Sequence, residues 1–386
     1  LIGQFGVGFY SAYLVADRVE VTSRAAGSED GAWCWASDAS DKWTLTPVDG
    51  GIERGTSIVL HLKEGLSHFL NEWTLRNLVT RYSDYVSFPI LLQVAERNEE
   101  GEVTGATLEQ VNRSTALWQR PKAELKDEDY TGFYKHLSGD SNDPLAWTHV
   151  VVEGTQQFTA VLYIPQKAAG DLYNPEASGG VRLYVQRVFI LDDADTLVPS
   201  WLRFVAGVVD SDDLPLNVSR ELLQDSATVR AIERQLTKKI LDRLAALATD
   251  DPEAYGVFWA EFGRVLKEGM HQAWQQRDKI TELLRFNSSQ GDGLTSLKEY
   301  VERMPEDQEG IYTITGPSLE AVAASPHLEM LKNRGHEVLF CIDPVDEWVL
   351  DALSEYDGKS LRSALEAEAA EEGADTEGLD EAMGEA

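Results

Sequence analysis

This sequence has few cysteines and no long apolar stretch. Two of its 386 residues are cysteines, Cys34 and Cys341, and they lie far apart in the chain. Two distant thiols exclude a disulfide framework and fit a reducing compartment, so we expect a cytoplasmic protein. No stretch reaches the roughly 18–20 apolar residues that a membrane-spanning helix needs.

Basic residues are also scarce, because 34 lysines and arginines stand against 66 aspartates and glutamates, for a net charge of −32. Such an acidic surface repels nucleic acids and anionic membranes, so we expect neither as a partner. The seven histidines are scattered, and the sequence contains neither a His-Glu-x-x-His motif nor a cysteine pair. We therefore expect no metal site made by this chain alone.

The pattern of apolar residues predicts an α/β (α+β) fold whose first part is incomplete. Four strand-like runs follow an apolar helix at 5–16, and they lie at 18–25, 32–38, 43–48 and 56–63. Their short polar connections predict an antiparallel meander. A helix capped by Ser67 and a strand at 88–94 complete this part. Residues 1–96 thus look like the second half of an α/β sandwich, and the polar residues 97–111 look like a linker.

The next part, residues 112–356, predicts a second domain built in three pieces. We expect a larger α/β piece at 112–225, two long amphipathic helices within 226–279, and a smaller α/β piece at 280–356. The smaller piece has a strand–helix–strand pattern, which predicts a parallel strand pair with Pro326 interrupting its helix. The remaining residues, 357–386, are rich in Ala, Glu and Gly and predict a disordered acidic tail.

One chemically suggestive segment stands at the start of the chain. Gly3, Gly6 and Gly8 form a G-x-x-G-x-G pattern that leads into a helix. Glycines permit close backbone approach, and a helix start directs N–H groups at a phosphate, although such a start also occurs for purely structural reasons. The spacing is neither that of a dinucleotide-binding Rossmann motif nor that of a Walker loop.

A second segment is a polar loop that runs from Asn217 to Arg220 and continues into a helix start with Gln224. Arg220 and Gln224 are four residues apart, so they share one helix face. Most arginines are solvated surface charges. An arginine held in this setting, however, suits the three equatorial oxygens of a phosphoryl group in transfer.

Together, residues 3–10 and 214–224 resemble the ninety-kilodalton heat-shock chaperones, and most of all the bacterial branch of that family. The resemblance covers roughly residues 1–357 and implies a split-ATPase fold like that of gyrases and histidine kinases, followed by a middle domain. It implies an ATP-dependent molecular chaperone whose ATP hydrolysis drives a dimeric clamp around partly folded client proteins. The alternative is a non-catalytic acidic scaffold, which has no need of a phosphate-directed arginine.

The resemblance also implies a nucleotide site. Its residues would be Gly3, Gly6, Val7, Gly8, Phe9, Thr56 and Arg220. The backbone at Gly8 and Phe9 would meet the terminal phosphates of ATP, and the glycines would act as a lid hinge. Thr56 would bond the adenine edge from the floor of the sheet, directly or through water.

Catalysis would depend on the second segment. The resemblance implies that Arg220 reaches the γ-phosphate when the domains close, as phosphate sensor and catalytic arginine. Asn217 and Gln224 would support that closed geometry, and Arg187 would lie near the same loop.

Client binding would use exposed aromatic side chains that form an amphipathic surface. Trp118, just after the predicted linker, and Trp259, on the second long helix, are the candidates. The alternative for both is ordinary core packing.

Further parts of the family's machinery would lie outside this chain. The glutamate that activates water, the aspartate that binds adenine and the asparagine that holds Mg²⁺ would precede Leu1. The homodimerisation domain would follow Ala386. We therefore expect a fragment that neither hydrolyses ATP nor dimerises alone, and whose orphaned first sheet exposes apolar surface.

Overall fold

A computed structural model of the chain describes residues 8–27, 31–48, 52–98, 103–154, 156–174, 180–214, 226–291, 293–306 and 308–365. The chain divides into a first unit, Leu1–Ala116, and a second unit, Leu117–Ala386. Both units mix helices with sheets, which confirms the predicted fold class. Among the described residues, none of the helices combines the length and the apolar character that spanning a bilayer demands.

The first unit is built on a four-stranded antiparallel sheet. A short 3₁₀ turn at Gly8–Ser11 and the helix α1 (Ala12–Val15) lead into it. Its strands are β1 (Ala16–Arg24), β2 (Ala32–Ser37), β3 (Trp43–Val48) and β4 (Gly55–Leu62). The order is β3-β2-β1-β4, so the predicted meander is wrong in one respect. The last strand returns to pair with β1, where Leu60 lies opposite Val19 and Ile58 opposite Val21, so that apolar side chains share one face.

A helix and a hairpin complete the first unit. The helix α2 (Glu72–Tyr82) begins after Asn71, whose side-chain oxygen accepts the N–H groups of Trp73 and Thr74 at 2.9 and 3.3 Å. The predicted cap, Ser67, belongs instead to a separate 3₁₀ turn, Ser67–Leu70. Asparagine caps a helix better here because its carbonyl oxygen reaches two free N–H groups at once.

The predicted linker at 97–111 is wrong, because most of it is a strand. The strands β5 (Leu91–Arg97) and β6 (Val103–Gln110) pair antiparallel as a hairpin, with Leu91 opposite Gln110. The boundary between the two units falls later, after Ala116. Side chains along β6 are mostly exposed, and an exposed strand has the polar composition of a linker.

After two short 3₁₀ turns, Leu117–Gln119 and Lys122–Glu124, the second unit continues with the helix α3 (Asp127–Ser138) and a five-stranded sheet, the larger sheet. Its strands are β7 (Ala146–Val152), β8 (Phe158–Ile164), β9 (Val181–Val185), β10 (Val188–Leu191) and β11 (Ala206–Ser211). They lie in the order β10-β9-β11-β8-β7, with β11 and β9 parallel and the other pairs antiparallel. The central strand β11 therefore ends at the same edge as β9.

Two long helices follow this sheet, as predicted, and the first of them packs against β7. The helix α4 (Ala227–Asp250) buries its apolar positions, which recur with a helical period: Val229, Ile232, Leu236, Ile240, Leu241, Leu244 and Leu247. Asp251 caps the next helix, α5 (Pro252–Lys267), by accepting the N–H of Ala254 at 3.0 Å. Two short helices follow, α6 (Gly269–Gln272) and α7 (Arg277–Leu283).

The remainder of the second unit forms a smaller sheet with short helices. Its strands are β12 (Asn287–Ser288), β13 (Gly310–Thr315), β14 (Val338–Cys341), β15 (Glu355–Tyr356) and β16 (Lys359–Ser363), and its helices are α8 (Leu297–Arg303), α9 (Leu319–Ala323), α10 (His327–Asn333) and α11 (Asp346–Ala352). The parallel pairing of β13 with β14 confirms the predicted strand pair, and Pro326 separates α9 from α10 as expected.

The predicted end of this piece at residue 356 is wrong. The strand β16 also pairs in parallel with β13, with Leu361 opposite Ile311, and Leu361 packs against the main apolar core. The sheet thus extends into the segment predicted as tail. A single leucine among polar residues is too weak a signal to predict a strand, because its partner strand is distant in sequence.

Candidate functional site

Several of the predicted site residues lie outside the described part of the chain. They are Gly3, Gly6, Val7, Asn217, Arg220 and Gln224. The described candidates are Gly8, Phe9 and Thr56 in the first unit, and Arg187 and the client-binding candidates Trp118 and Trp259 in the second.

Thr56 lies on an open face of the first sheet. It faces Ser23 across the β1–β4 pair, and the two side-chain oxygens are 2.9 Å apart. Because side chains alternate along a strand, Ile58 and Leu60 lie on the same face as Thr56, and they are 53% and 39% exposed. We call this surface, formed by Thr56, Ile58, Leu60, Val21 and Trp35, the Thr56 face. It offers one hydroxyl in an apolar setting that is open to a flat ligand.

The turn that carries Gly8 and Phe9 borders the same surface. The ring of Phe9 meets the ring of Trp35 edge to face, with centroids 5.8 Å apart. Trp35 lies opposite Val21 in the β1–β2 pair, and Val21 lies opposite Ile58, so this contact brings the turn to the Thr56 face. Nothing stands within 4 Å of the position where a Cβ of Gly8 would be, so its backbone can be approached closely. The structure therefore brings Gly8, Phe9 and Thr56 to one face.

Arg187 occupies a strained turn in the second unit. Gln186 and Arg187 connect β9 to β10, and both have positive φ, at 50° and 67°. Two-residue hairpin turns with positive φ at both residues favour Asn and Gly. A non-glycine residue with positive φ costs roughly 1–3 kcal/mol of backbone strain. Among the described residues, the Arg187 guanidinium has no hydrogen-bond or ion-pair partner. The turn thus presents a half-exposed positive charge.

A buried carboxylate supports that turn. Asp210, near the end of β11, accepts the backbone N–H of Arg187 through Oδ1 at 3.1 Å and the indole N–H of Trp118 through Oδ2 at 2.8 Å. Burial raises the pKa of Asp210, and the hydrogen bonds from Trp118 and Arg187 partly oppose that rise. Sequence reasoning missed Asp210, because nothing local distinguishes it from the exposed Asp212 and Asp213 that follow.

Hydrogen bonds hold the described residues on either side of residues 215–225, a stretch that contains Arg220 and lies outside the described part of the chain. Before it, the N–H of Asp212 bonds the carbonyl oxygen of Gln157 at 3.2 Å, and Oδ2 of Asp213 accepts the N–H of Gln157 at 2.5 Å. After it, the hydroxyl of Ser226 accepts the N–H of Val229 and caps α4. We call residues 215–225 the Arg220 segment.

The prediction that Trp118 and Trp259 are exposed is wrong. They are 1% and 8% exposed. Trp118 packs against Tyr184, with ring centroids 5.1 Å apart, and Trp259 stacks on Tyr255 at 6.4 Å. Both serve the core, because each ring faces other aromatic rings. Sequence position alone does not show which side of a helix or turn faces the core.

Other aromatic side chains are exposed in the second unit. Trp274 is 72% exposed and Trp348 is 57% exposed. The ring of Trp348 lies 6.0 Å from that of His271, which is three residues before Trp274. The polar neighbours of Trp274, Gln275 and Gln276, were the available signal for its exposure. These two tryptophans are thus exposed aromatic groups of the second unit.

Within the described ranges, no group of three or more histidine, cysteine, aspartate or glutamate side chains is placed to hold a metal ion. Cys34 and Cys341 are both free thiols, and burial raises the pKa of Cys341.

The comparisons with known proteins all match this chain to one protein family. The family model described as "Hsp90 protein" matches residues 97–383. "Chaperone protein HtpG" from Myxococcus xanthus is 57% identical over 370 residues, which are 95% of this chain and 56% of that protein. Proteins of the same name from Actinobacillus succinogenes and Pasteurella multocida are 48% and 49% identical over 373 and 372 residues, each 95% of this chain and 59% of the relative. The chain thus spans somewhat more than half the length of these relatives.

Proposed function

This chain belongs to the Hsp90 family, and we propose that the full-length protein is an ATP-dependent molecular chaperone of the bacterial HtpG type. The observation that carries the proposal is the Thr56 face, where a hydroxyl, an open apolar sheet surface and the Gly8–Phe9 turn meet. That combination suits a purine ring and a phosphate chain. The names of the relatives support a chaperone role for such a site.

In this proposal, ATP binds over the Thr56 face. The hydroxyl of Thr56 can donate or accept a hydrogen bond at the adenine edge, and the exposed side chains of Ile58 and Leu60 can pack against the ring. Backbone N–H groups at Gly8 and Phe9 would meet the terminal phosphates, where a helix start favours negative charge. The same role is proposed for Gly3, Gly6 and Val7. Mg²⁺ would accompany ATP, with its ligand outside this chain.

Hydrolysis in this proposal depends on Arg220. A guanidinium beside the γ-phosphate stabilises the charge that is spread over the three equatorial oxygens during transfer. Asn217 and Gln224 would hold the closed arrangement around it. The hydrogen bonds of Asp213 and Ser226, the nearest bonded residues on either side of the Arg220 segment, support this role, because catalysis depends on the positioning of its groups.

Hydrolysis would then reopen a homodimeric clamp around partly folded client proteins. The exposed tryptophans Trp274 and Trp348 offer apolar surface to such clients, in place of the buried Trp118 and Trp259. A cytoplasmic location belongs to the same proposal, and the free thiols of Cys34 and Cys341 support it.

The first test is ATP turnover by the full-length protein with and without Arg220→Ala. We expect kcat to fall on the order of 10²-fold or more while nucleotide still binds. Arg264→Ala is the matched control, because Arg264 lies on α5 with its guanidinium over the ring of Tyr173. Unchanged turnover in Arg220→Ala would remove this arginine from the mechanism. Absent turnover in the wild type would favour the acidic scaffold.

A second test concerns the nucleotide face. Thr56→Val keeps the shape of the side chain and removes its hydroxyl, so we expect the Kd for ATP to rise about 3- to 10-fold. Ser57→Ala removes a hydroxyl from the opposite face of the same strand and should leave the Kd unchanged. Equal affinities in the two variants would contradict the assignment of Thr56.

A further inference from the structure

A cleft in the second unit is lined by elements that are distant in sequence. They are the 3₁₀ turn Ser200–Leu202, the helix α4, and the stretch from the end of α6 to the 3₁₀ turn Trp274–Gln276. The cleft has a volume of about 350 Å³, which lies in the range of pockets that enclose small ligands. It is therefore large enough to take up a long side chain of another polypeptide.

Two polar side chains of α4 line this cleft without a partner in the described part of the chain. Thr237 is only 5% exposed, and none of the described residues forms a hydrogen bond with its hydroxyl. Glu233, one helical turn earlier, is half-buried and forms neither a hydrogen bond nor an ion pair with them. Because buried polar groups normally have a partner, these two indicate a ligand that brings its own donors.

The charges of the cleft favour a cation as that ligand. Of the described residues that line it, only Glu233 and Arg234 carry a charge. Burial raises the pKa of Glu233, although the charge of Arg234 opposes that rise, so a cation in the cleft would stabilise the carboxylate. Arg234 is exposed, and water solvates its guanidinium. A partner charge therefore gains more at Glu233 than at Arg234.

The opening of the cleft adds an aromatic ring and a free amide. Trp274 is 72% exposed, and a cation is attracted to the face of a tryptophan ring. The hydroxyl of Ser200 donates to Oε1 of Gln272 at 2.9 Å, and the N–H₂ group of Gln272 has no acceptor among the described residues. Such an amide group suits a peptide carbonyl oxygen. The cleft thus combines groups for a cation with a group for a polypeptide backbone.

We propose that this cleft, the Glu233 cleft, binds a basic side chain of an extended client segment through the Glu233 carboxylate and the Trp274 ring. The hydroxyl of Thr237 accepts an N–H of the cationic group, and Gln272 donates to the backbone of the segment. The inference rests on the proposed chaperone function and names the chemical class of segment that it selects. A net charge of −32 attracts basic segments from a distance, and the cleft then holds one basic side chain.

The experiment measures peptide binding to the full-length protein by isothermal titration calorimetry without nucleotide. The probe is a short unstructured peptide of leucine, serine and glycine with one central lysine. Its twin carries acetyl-lysine at that position, which has no charge. We expect the Kd of the acetylated twin to be about 5-fold higher or more. Glu233→Gln and Trp274→Ala should each raise the Kd of the lysine peptide by a similar factor.

Two substitutions on the same helix serve as matched controls. Asp250→Asn removes an exposed carboxylate, and Thr249→Val removes an exposed hydroxyl, both outside the cleft. Each should leave the Kd of the lysine peptide unchanged, whereas Thr237→Val should raise it about 3-fold. The comparison of the two peptides on the wild-type protein needs no variant, so it decides the matter even where a substitution impairs folding.

Equal affinities of the two peptides for the wild-type protein, or no binding of either, would overturn the proposal. Tighter binding of a third peptide with a central glutamate would overturn it as well, because Arg234 would then be the group that is recognised. If free n-butylammonium binds in a manner that depends on Glu233 while peptide affinity does not depend on the lysine, the cleft belongs to a small amine and the client assignment is wrong.

Failure of the proposed function is measured separately. If the wild-type protein neither turns over ATP nor keeps a chemically denatured enzyme from aggregating, the chaperone role is wrong. The peptide titrations then still decide whether the Glu233 cleft binds a basic side chain. If the protein does suppress aggregation but binds both peptides equally, the chaperone role stands and this inference fails.

Discussion

Lys267 and Asp346 form an ion pair that is almost wholly buried, with the ammonium 2.7 Å from Oδ1 and side chains 4% and 1% exposed. Asp343 also lies 2.7 Å from the ammonium. Lys267 ends α5 and Asp346 begins α11, so the pair joins the long helices to the smaller sheet. Burial acts to lower the pKa of Lys267, but Asp346 and Asp343 outweigh it and raise the pKa, so the lysine stays charged.

Replacing Lys267 should therefore destabilise the protein strongly. Lys267→Ala leaves Asp346 as an uncompensated buried charge, and we expect a loss of roughly 3–5 kcal/mol in the free energy of unfolding. Urea denaturation followed by tryptophan fluorescence measures this quantity. Lys279→Ala breaks a pair with Asp242 in which both side chains are more than 40% exposed, and it should cost less than about 1 kcal/mol. Equal losses in the two variants would contradict the role of the buried pair.

Two glycine-to-alanine substitutions should have opposite effects. In β11, a Cβ at Gly207 would lie 2.3 Å from the carbonyl oxygen of Val161 and 2.9 Å from Cα of Leu162, both backbone atoms of a central strand. We expect Gly207→Ala to destabilise by about 1–3 kcal/mol or more. In α3, Gly132 has no atom within 4 Å of its Cβ position, and Gly132→Ala should stabilise by roughly 0.5–1 kcal/mol. Thermal unfolding of both variants checks the two signs.

Stability should depend on pH through His149. Burial lowers the pKa of this half-buried imidazole below its ordinary 6.5, and nearby Lys122 adds to the effect, although the Trp118 carbonyl opposes it. The folded state therefore resists protonation. The stabilisation of the folded state by neutral His149 is fully present above pH 6.5. It is lost as the pH falls through the depressed pKa that His149 has in the folded state.

The measurement for His149 is the melting temperature between pH 7.5 and about pH 5. We expect the decline on acidification to be shallower in His149→Gln than in the wild type, because the variant has no imidazole to protonate. His271→Gln, at an exposed histidine of the same unit, should keep the wild-type slope. A wild-type slope in His149→Gln would remove this histidine as the cause.

The first unit should be cleaved before the second in limited proteolysis of this chain. Among its described residues, Val19 and Tyr85 are the only buried apolar side chains larger than alanine, whereas Trp33 and Trp43 are 43% and 62% exposed. A unit that buries so little apolar surface has a small barrier to local opening. Mass spectrometry of early fragments locates the cuts. Equal persistence of residues 1–96 and of the larger sheet would count against this prediction.

Several features of this protein follow from its sequence. The apolar positions of α4 recur every three or four residues, so they predict a one-sided helix whatever it packs against. The parallel pair of β13 and β14 follows from two short apolar strands with helices between them, because such a crossover brings strands back in the same direction. The motif strings at 3–10 and 214–224 indicate the family, and the match of the Hsp90 family model to residues 97–383 confirms it.

Only the tertiary structure decided the pairing of β4 with β1, the hairpin at Leu91–Gln110 and the burial of Trp118 and Trp259. It also brought Asp210 to the donors of Trp118 and Arg187, 92 and 23 positions away in the chain. The reason is physical. Periodicity reports the local preference of a segment, whereas strand partners, buried faces and the acceptors of buried N–H groups are chosen by contacts between residues that are distant in sequence.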